Sequence, residues 1–313
     1  MGKIALIFPG QGSQYEGMGM DFITRNPNYR KYFDLCSNII GQDILEIISG
    51  QPQQLNKTNY SQPAIYAFSC ALFDYLKENT NLAARAQAVA GHSLGDYSAL
   101  YAAGAYSYRK GLELVAYRCR LMAEQNQVSE GMMAAVLGVD FKRVEEQVRK
   151  LGLQVYIANY NDYTQTVISG NKQDVLRAIA EFKKNGIRKV LPLKVGVASH
   201  CPLMRRVAEE LRAYMDQNLN SVSTDLPFFS STAAEFISGK QINKILQKQL
   251  VEPVKWLPSV LELLQQGFDC WVEIGPKNIL GKLTQRIIAG SGHKADVYSS
   301  DSDLDHLLNK FKE

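Results

Sequence analysis

Two hydrophobic rhythms run along the chain. Lys3-Ile4-Ala5-Leu6-Ile7-Phe8 is a short, nearly continuous apolar run stopped by Pro9-Gly10, and it reads as a buried strand. Helical periodicity is expected over 20–40 and 61–76. Residues 86–90 form a second apolar strand ending at Gly91, with helices expected over 96–103 and 108–125. Strands and helices in alternation favour a mainly parallel sheet covered by helices.

Between Gly131 and Gly196 the rhythm changes. A strand over 132–139 and an amphipathic helix over 141–151 come first. Strands over 155–159 and 166–169 flank a polar turn, and a helix over 172–184 and a strand over 189–195 close the unit. This β-α-β-β-α-β order is the pattern of a ferredoxin-like unit. The charges of its helices, such as Lys142, Glu145, Arg149 and Lys183, suit solvated outer faces. Alternation then returns, with helices over 202–218, 242–250 and 256–266 and strands over 227–230 and 270–274. The expected fold is α/β, a doubly wound core of residues 1–128 and 198–313 interrupted by a small α+β insert over 129–197.

Composition narrows the function classes. Of 313 residues, 46% are hydrophobic and 21% charged, so the chain can bury a core, and about two folding units are expected. No uncharged apolar run approaches the ~18 residues a membrane span needs, and the N-terminal run is too short for a signal peptide. Five cysteines without a CxxC pair and four scattered histidines argue against a disulfide framework or structural zinc, and point to the cytoplasm. A net charge of +4 without a dense basic run gives no reason to expect nucleic acid as a partner.

The sharpest chemical signal is Gly91-His92-Ser93-Leu94-Gly95, a G-x-S-x-G placed between a strand and a helix. In that context it is a nucleophile elbow, a turn so tight that glycines must flank the serine. The Leu94 N–H, directly after the nucleophile, is the default first donor to an oxyanion. Ser93 needs a base to take its proton. His92 should point away on the sharp turn, and His293 and His306 sit in the polar tail. His200 follows the last strand of the insert and precedes a helix, a rim position from which it could reach Ser93. No acid falls at a telling place between the two, so the group orienting His200 is expected to be a backbone carbonyl. On the helix from Tyr108, Arg118 and Arg120 lie near opposite edges of the apolar stripe, and periodicity does not choose between them.

Six segments share one resemblance: Pro9-Gly10-Gln11-Gly12-Ser13-Gln14, Gly91–Gly95, Asn159-Tyr160-Asn161 with Gln165–Gly170, Ser199-His200-Cys201-Pro202-Leu203-Met204, Gln249-Leu250 with Pro253-Val254-Lys255-Trp256, and Glu273-Ile274-Gly275-Pro276. In order and spacing, nearly the whole chain resembles the malonyl-CoA:acyl carrier protein transacylases. The resemblance implies an α/β-hydrolase-like core with a ferredoxin-like insert. It implies Ser93 as the acylated serine and His200 as its base. The backbone N–H groups of Gln11 and Leu94 would form the oxyanion hole, and the Gln249 carbonyl would orient the histidine. Arg118 would pair with the free carboxylate of the malonyl group.

The implied partners are malonyl-CoA, as substrate, and an acyl carrier protein, on a monomer needing no cofactor or metal. A basic rim at Arg188 and Lys189, or at Lys277 and Lys282, would suit an acidic carrier. The chain departs from the pattern at Asp96, where glutamate is usual, at Cys119, where glycine is frequent, and in a loop over 161–165 that lacks a proline and is expected to lie away from the chemistry. Val197-Ala198-Ser199-His200 is also similar to the tetrapeptide of methylmalonyl-selecting domains. Cys201 beside the base is expected to be a small buried thiol. Two other readings compete. An acyl hydrolase of the same fold would have no need of Arg118, and a non-catalytic carrier-protein adaptor would have no need of an intact elbow.

Overall fold

The computed structural model describes residues 2–193, 195, 197–219 and 223–312. Its strands, in chain order, are β1 (Lys3–Phe8), β2 (Ala86–Gly91), β3 (Gly131–Leu137), β4 (Val155–Asp162), β5 (Gln165–Asn171), β6 (Val190–Pro192), β7 (Phe228–Ser230), β8 (Glu235–Ile237), β9 (Phe268–Glu273) and β10 (Asp296–Ser299).

Side chains of β1 alternate between two cores, as the period of two requires. Ile4, Leu6 and Phe8 enter the larger one, shared with the helices Thr58–Asn79 and Tyr108–Val128, while Ala5 and Ile7 face Trp256, Trp271 and Ile287 on the other side. Strand β1 is therefore central and apolar throughout. The sheet order is β10-β9-β1-β2-β7-β8, parallel except for the edge strand β8. The chain builds outward from β1 through β2 to β7, then returns to β9 and β10 on the opposite side. Phe8 pairs with Gly91 and Ile7 with Glu273, so the carboxyl ends of the strands share one rim. Sheets of this kind place their ligand sites along that rim, where the strand order reverses.

The second sheet is antiparallel, in the order β4-β5-β3-β6. Helices Phe141–Leu151 and Lys172–Lys184 cover one face through Val144, Val175 and Phe182, packed on Ala134, Val136 and Ile168. This is the expected ferredoxin-like arrangement. Its other face meets the chain that leads to His200: a Cβ on Gly131 would lie 2.4 Å from the Ala198 nitrogen.

Several elements differ from expectation. The helix expected over 20–40 breaks into Met20–Arg25, a 3-10 turn Pro27–Tyr29 and Arg30–Ile40. Pro27 disfavours helical backbone at the residue before it, and Asn26 sits at φ −129°. Two helices that were not expected, Ile44–Gly50 and Pro52–Leu55, follow, and the helix expected over 61–76 runs from Thr58 to Asn79 with Pro63 inside it. Strand β6 runs only to Pro192, although the Leu193 N–H still donates to the Met133 carbonyl at 2.9 Å, and the rest of the expected strand includes Lys194, outside the described residues. The region read as polar tail supplies β10 and a helix, Leu304–Lys310, with His306 stacked 5.4 Å from the Tyr298 ring.

Candidate active site

The elbow is as tight as its glycines suggest. A Cβ on Gly91 would lie 2.0 Å from the Gly95 carbonyl carbon, and one on Gly95 would lie 1.9 Å from the Phe8 oxygen. Ser93 sits at the turn with φ 55°, a left-handed conformation that costs a non-glycine residue about 1–2 kcal/mol. The helix Gly95–Ala102 starts directly behind it. The Leu94 N–H is buried, and neither it nor the N–H of half-buried Gln11 makes a hydrogen bond among the described residues. The Gln11 loop lies against the elbow, because a Cβ on Gly10 would stand 2.3 Å from the His92 oxygen.

His200 Nε2 lies 2.8 Å from Ser93 Oγ, and Nδ1 lies 2.6 Å from the Gln249 carbonyl oxygen. A carbonyl can only accept, so Nδ1 carries the hydrogen and Nε2 is left to accept the Ser93 proton. Gln249 is the last residue of the helix Gln241–Gln249, and the final carbonyls of a helix lack partners within it. That end also carries the negative pole of the helix, which stabilises a developing imidazolium. A helix terminus thus stands where other serine enzymes place a carboxylate. Burial, and then the positive charge of Arg118, lower His200 to about 3, so the ring is neutral and its Nε2 lone pair available.

Arg118 is 1% exposed, with Nη2 3.4 Å from Ser93 Oγ. Its Nη1 donates to Gln62 Oε1, its guanidinium lies 5.4 Å from the Tyr97 ring centroid, and its Nε has no partner. No carboxylate forms an ion pair with it among the described residues. A buried, permanently charged fork without a counter-ion is costly unless an anion arrives to pair with it. Arg120 faces solvent and pairs with Glu124 at 3.7 Å, so the structure separates the two arginines that periodicity left equivalent.

Three residues near the site had no role assigned to them from the sequence. Gln62 accepts from Arg118 and from Cys119 Sγ at 3.3 Å, and it donates to Gln11 Oε1 at 3.0 Å, tying the arginine to the Gln11 loop. Tyr97 lies under the guanidinium. Asn161 Oδ1 lies 2.9 Å from His92 Nε2, which places part of the 161–165 segment beside the elbow rather than away from it. Strand β4 lies close to the core here, with Tyr160 N–H donating to the Val254 carbonyl at 2.8 Å. Cys201 is fully buried, its thiol 3.2 Å from the Ala198 oxygen. Of the four basic residues considered for a rim, Lys277 is engaged internally, its Nζ 2.9 Å from the Gln14 oxygen, while Arg188, Lys189 and Lys282 are exposed. No group of three His, Cys, Asp or Glu side chains able to hold a metal occurs among the described residues.

A serine on a strand-to-helix elbow, with a neutral histidine aimed at it across the rim of a parallel sheet, defines the serine-dependent acyl-transfer enzymes of α/β-hydrolase-like fold. The match to known proteins is more specific. The chain belongs to the acyl transferase domain family, whose pattern it follows over residues 5–300. It is 36% identical to the malonyl CoA-acyl carrier protein transacylase of Haemophilus influenzae, over 92% of this chain and 93% of that one. It superposes on the malonyl-CoA:acyl carrier protein transacylase of Xanthomonas oryzae with a TM-score of 0.92 and 33% identity, covering 99% of both chains. A malonyl-transacylase solved in complex with a type II PKS acyl-carrier protein superposes with a TM-score of 0.89 and 31% identity, again over 99% of both.

Proposed function

We propose that this chain moves a malonyl group from coenzyme A to the phosphopantetheine thiol of an acyl carrier protein through a malonyl ester of Ser93. The observation that carries the reading is the uncompensated Arg118, 3.4 Å from a serine hydroxyl that is itself 2.8 Å from a neutral imidazole.

His200 Nε2 takes the Ser93 proton as Oγ attacks the thioester carbonyl. The carbonyl oxygen becomes an oxyanion held by the Leu94 and Gln11 N–H groups, which are otherwise unused. Collapse breaks the C–S bond, and the imidazolium returns its proton to the departing coenzyme A thiolate. The carrier thiol then gives its proton to His200, attacks malonyl-Ser93 and restores the serine by the same steps in reverse. One thioester replaces another, so the exchange calls for no ATP, metal or other cofactor.

Arg118 grips the malonyl carboxylate and orients the acyl group, a role that an acetyl group cannot fill. Exposed Arg188, Lys189 and Lys282 suit an acidic carrier protein, and reversing their charge should slow transfer without changing Ser93 malonylation. The enzyme is read as a cytoplasmic monomer. No helix among the described residues is long and apolar enough to cross a membrane.

Intact-protein mass spectrometry after exposure to malonyl-, methylmalonyl- and acetyl-CoA, followed by holo-carrier protein, tests the reading. A malonyl adduct on Ser93 that passes to the carrier is expected. No adduct would revive the adaptor, and discharge to free malonate without transfer would establish the hydrolase.

A further inference from the structure

Gln249 holds both halves of the dyad. Its main-chain carbonyl takes the His200 Nδ1 hydrogen, while its side-chain Nε2 donates to the Ser93 carbonyl at 2.9 Å and to Asp96 Oδ2 at 2.5 Å. Asp96 and Gln249 are both fully buried. The remaining oxygen of each side chain, Asp96 Oδ1 and Gln249 Oε1, is buried without a donor. Two orphaned acceptors beside a single Nε2–Oδ2 contact are a costly arrangement if Asp96 is an anion, because the pair then holds too few hydrogens. One proton on the carboxyl supplies the missing donor.

We propose that Asp96 is a positioning residue held as the neutral carboxylic acid, fixing the Gln249 side chain so that one residue locks nucleophile and base together. The role concerns the malonyl-transfer site proposed above and rests on that reading. The surroundings agree with it. Arg118, from the helix Tyr108–Val128, is a positive charge that favours the anion. Tyr97, on the helix of Asp96 itself, and Tyr106, just beyond that helix, are buried phenols raised well out of the physiological range, and His200 is neutral. Burial outweighs the Gln249 amide, the Gly91 N–H and Arg118, which all favour the anion, and carries the carboxyl up to about 8. A neutral Asp96 has a further effect. An anion there would satisfy part of the Arg118 charge, whereas the acid leaves that charge for the substrate carboxylate.

The test is single-turnover malonylation of Ser93 by malonyl-CoA, read by intact mass, with folding checked by circular dichroism melts. Asp96→Asn supplies a neutral isostere with a donor and an acceptor. It is expected to keep the wild-type rate within about twofold at neutral pH and to hold that rate above about pH 8, where the wild type slows. Asp96→Ala should slow malonylation at least about tenfold with little change in the malonyl-CoA concentration needed for saturation. The Asp96→Ala/Gln249→Ala double variant should be no slower than the slower single variant.

A loss of about tenfold or more in Asp96→Asn at neutral pH, an Asp96→Asn chain that does not fold, equal slowing of wild type and Asp96→Asn above pH 8, or additive single effects would each overturn the proposal. If Asp96→Ala does not fold, the Asp96→Asn comparison decides alone. A wild type that takes no malonyl group is a different failure and removes the functional reading instead.

Discussion

Arg118 donates one hydrogen of Nη1 to the Gln62 side-chain carbonyl, and that bond aims Nη2 at the Ser93 hydroxyl 3.4 Å away. The guanidinium is thereby fixed before any substrate arrives, which lowers the ordering cost of gripping a carboxylate. It also lies near enough to His200 to depress the basicity of the ring. A bound malonyl carboxylate would cancel that charge and return part of the lost basicity, burial still holding His200 below its ordinary value, so discrimination should reach the chemical step as well as binding.

Arg118→Ala is therefore expected to lower Ser93 malonylation and relax selection against acetyl-CoA. A charge-assisted bidentate pair is worth about 1.5–3 kcal/mol, so the malonyl-to-acetyl preference should fall roughly ten- to a hundredfold. Rates of adduct formation from the two thioesters measure it. Unchanged selectivity would remove Arg118 from this role.

His200→Ala should slow adduct formation by about two to four orders of magnitude while the protein still folds, and Ser93→Ala should abolish the adduct. Removing the imidazole leaves the elbow and the two N–H donors in place, so some acylation above background is expected to persist. Intact mass after timed exposure to malonyl-CoA separates the two variants.

The pH dependence follows from the direction of the His200 shift. Folded His200 titrates near 3, below the ordinary imidazole value of about 6.5 that the unfolded chain regains. Between those values the unfolded chain binds a proton that the folded chain does not. Stability from this group is thus fully present above about 6.5 and is lost as the pH falls towards 3. Malonylation should show no limb with a midpoint near 6.5 in single-turnover measurements between about pH 5 and 8. A half-maximal rate near 6.5 would mean that the base titrates as an exposed histidine.

Much of this site could be read from local sequence because its geometry is local. The elbow needs Gly91, Ser93 and Gly95 within five residues, and β1 declares itself by six residues of apolar strand. Contacts made through side chains from distant elements left no such trace. Gln62 belongs to no motif and precedes a proline, yet its amide joins Arg118, Cys119 and Gln11. Arg118 and Arg120 could not be told apart, because their environments depend on which neighbouring helices cover each edge of one stripe. Asp96 reads as a conservative change after the elbow, and only the burial of Gln249 beside it reveals what the carboxyl does. Strand β10 was missed because an edge strand of four residues, Asp296 exposed, Val297 and Tyr298 half-buried and only Ser299 buried, carries little apolar signal.

Gly95→Ala tests the elbow itself. The new methyl carbon would lie 1.9 Å from the Phe8 carbonyl oxygen, a backbone atom in the central strand that cannot move without shifting the sheet. Overpacking of this kind costs typically 1–3 kcal/mol and more where backbone must give way. The variant should melt well below the wild type and lose Ser93 acylation. Gly12→Ala is the control, since an added Cβ there meets no atom within 4 Å and its only penalty is the positive φ of 106°.

Among the described residues, one side chain of the insert hydrogen-bonds the elbow, and Asn161→Leu isolates that connection. Asn161 Oδ1 is 2.9 Å from His92 Nε2, and burial holds the His92 ring below its ordinary value, so the neutral ring donates from Nε2. Leucine has nearly the same volume and no acceptor, which leaves a buried N–H unpaired at a cost of about 1–3 kcal/mol. His92 precedes the nucleophile and its carbonyl accepts from the Gly95 N–H at 3.0 Å, so a shifted ring would disturb the strained turn. Asn161→Leu is expected to lower the melting temperature and to slow Ser93 malonylation several-fold. Malonylation by Asn161→Asp should stay near the wild-type rate, because a carboxylate still accepts. Equal loss in both variants would mean that the bond between insert and elbow does not support the nucleophile.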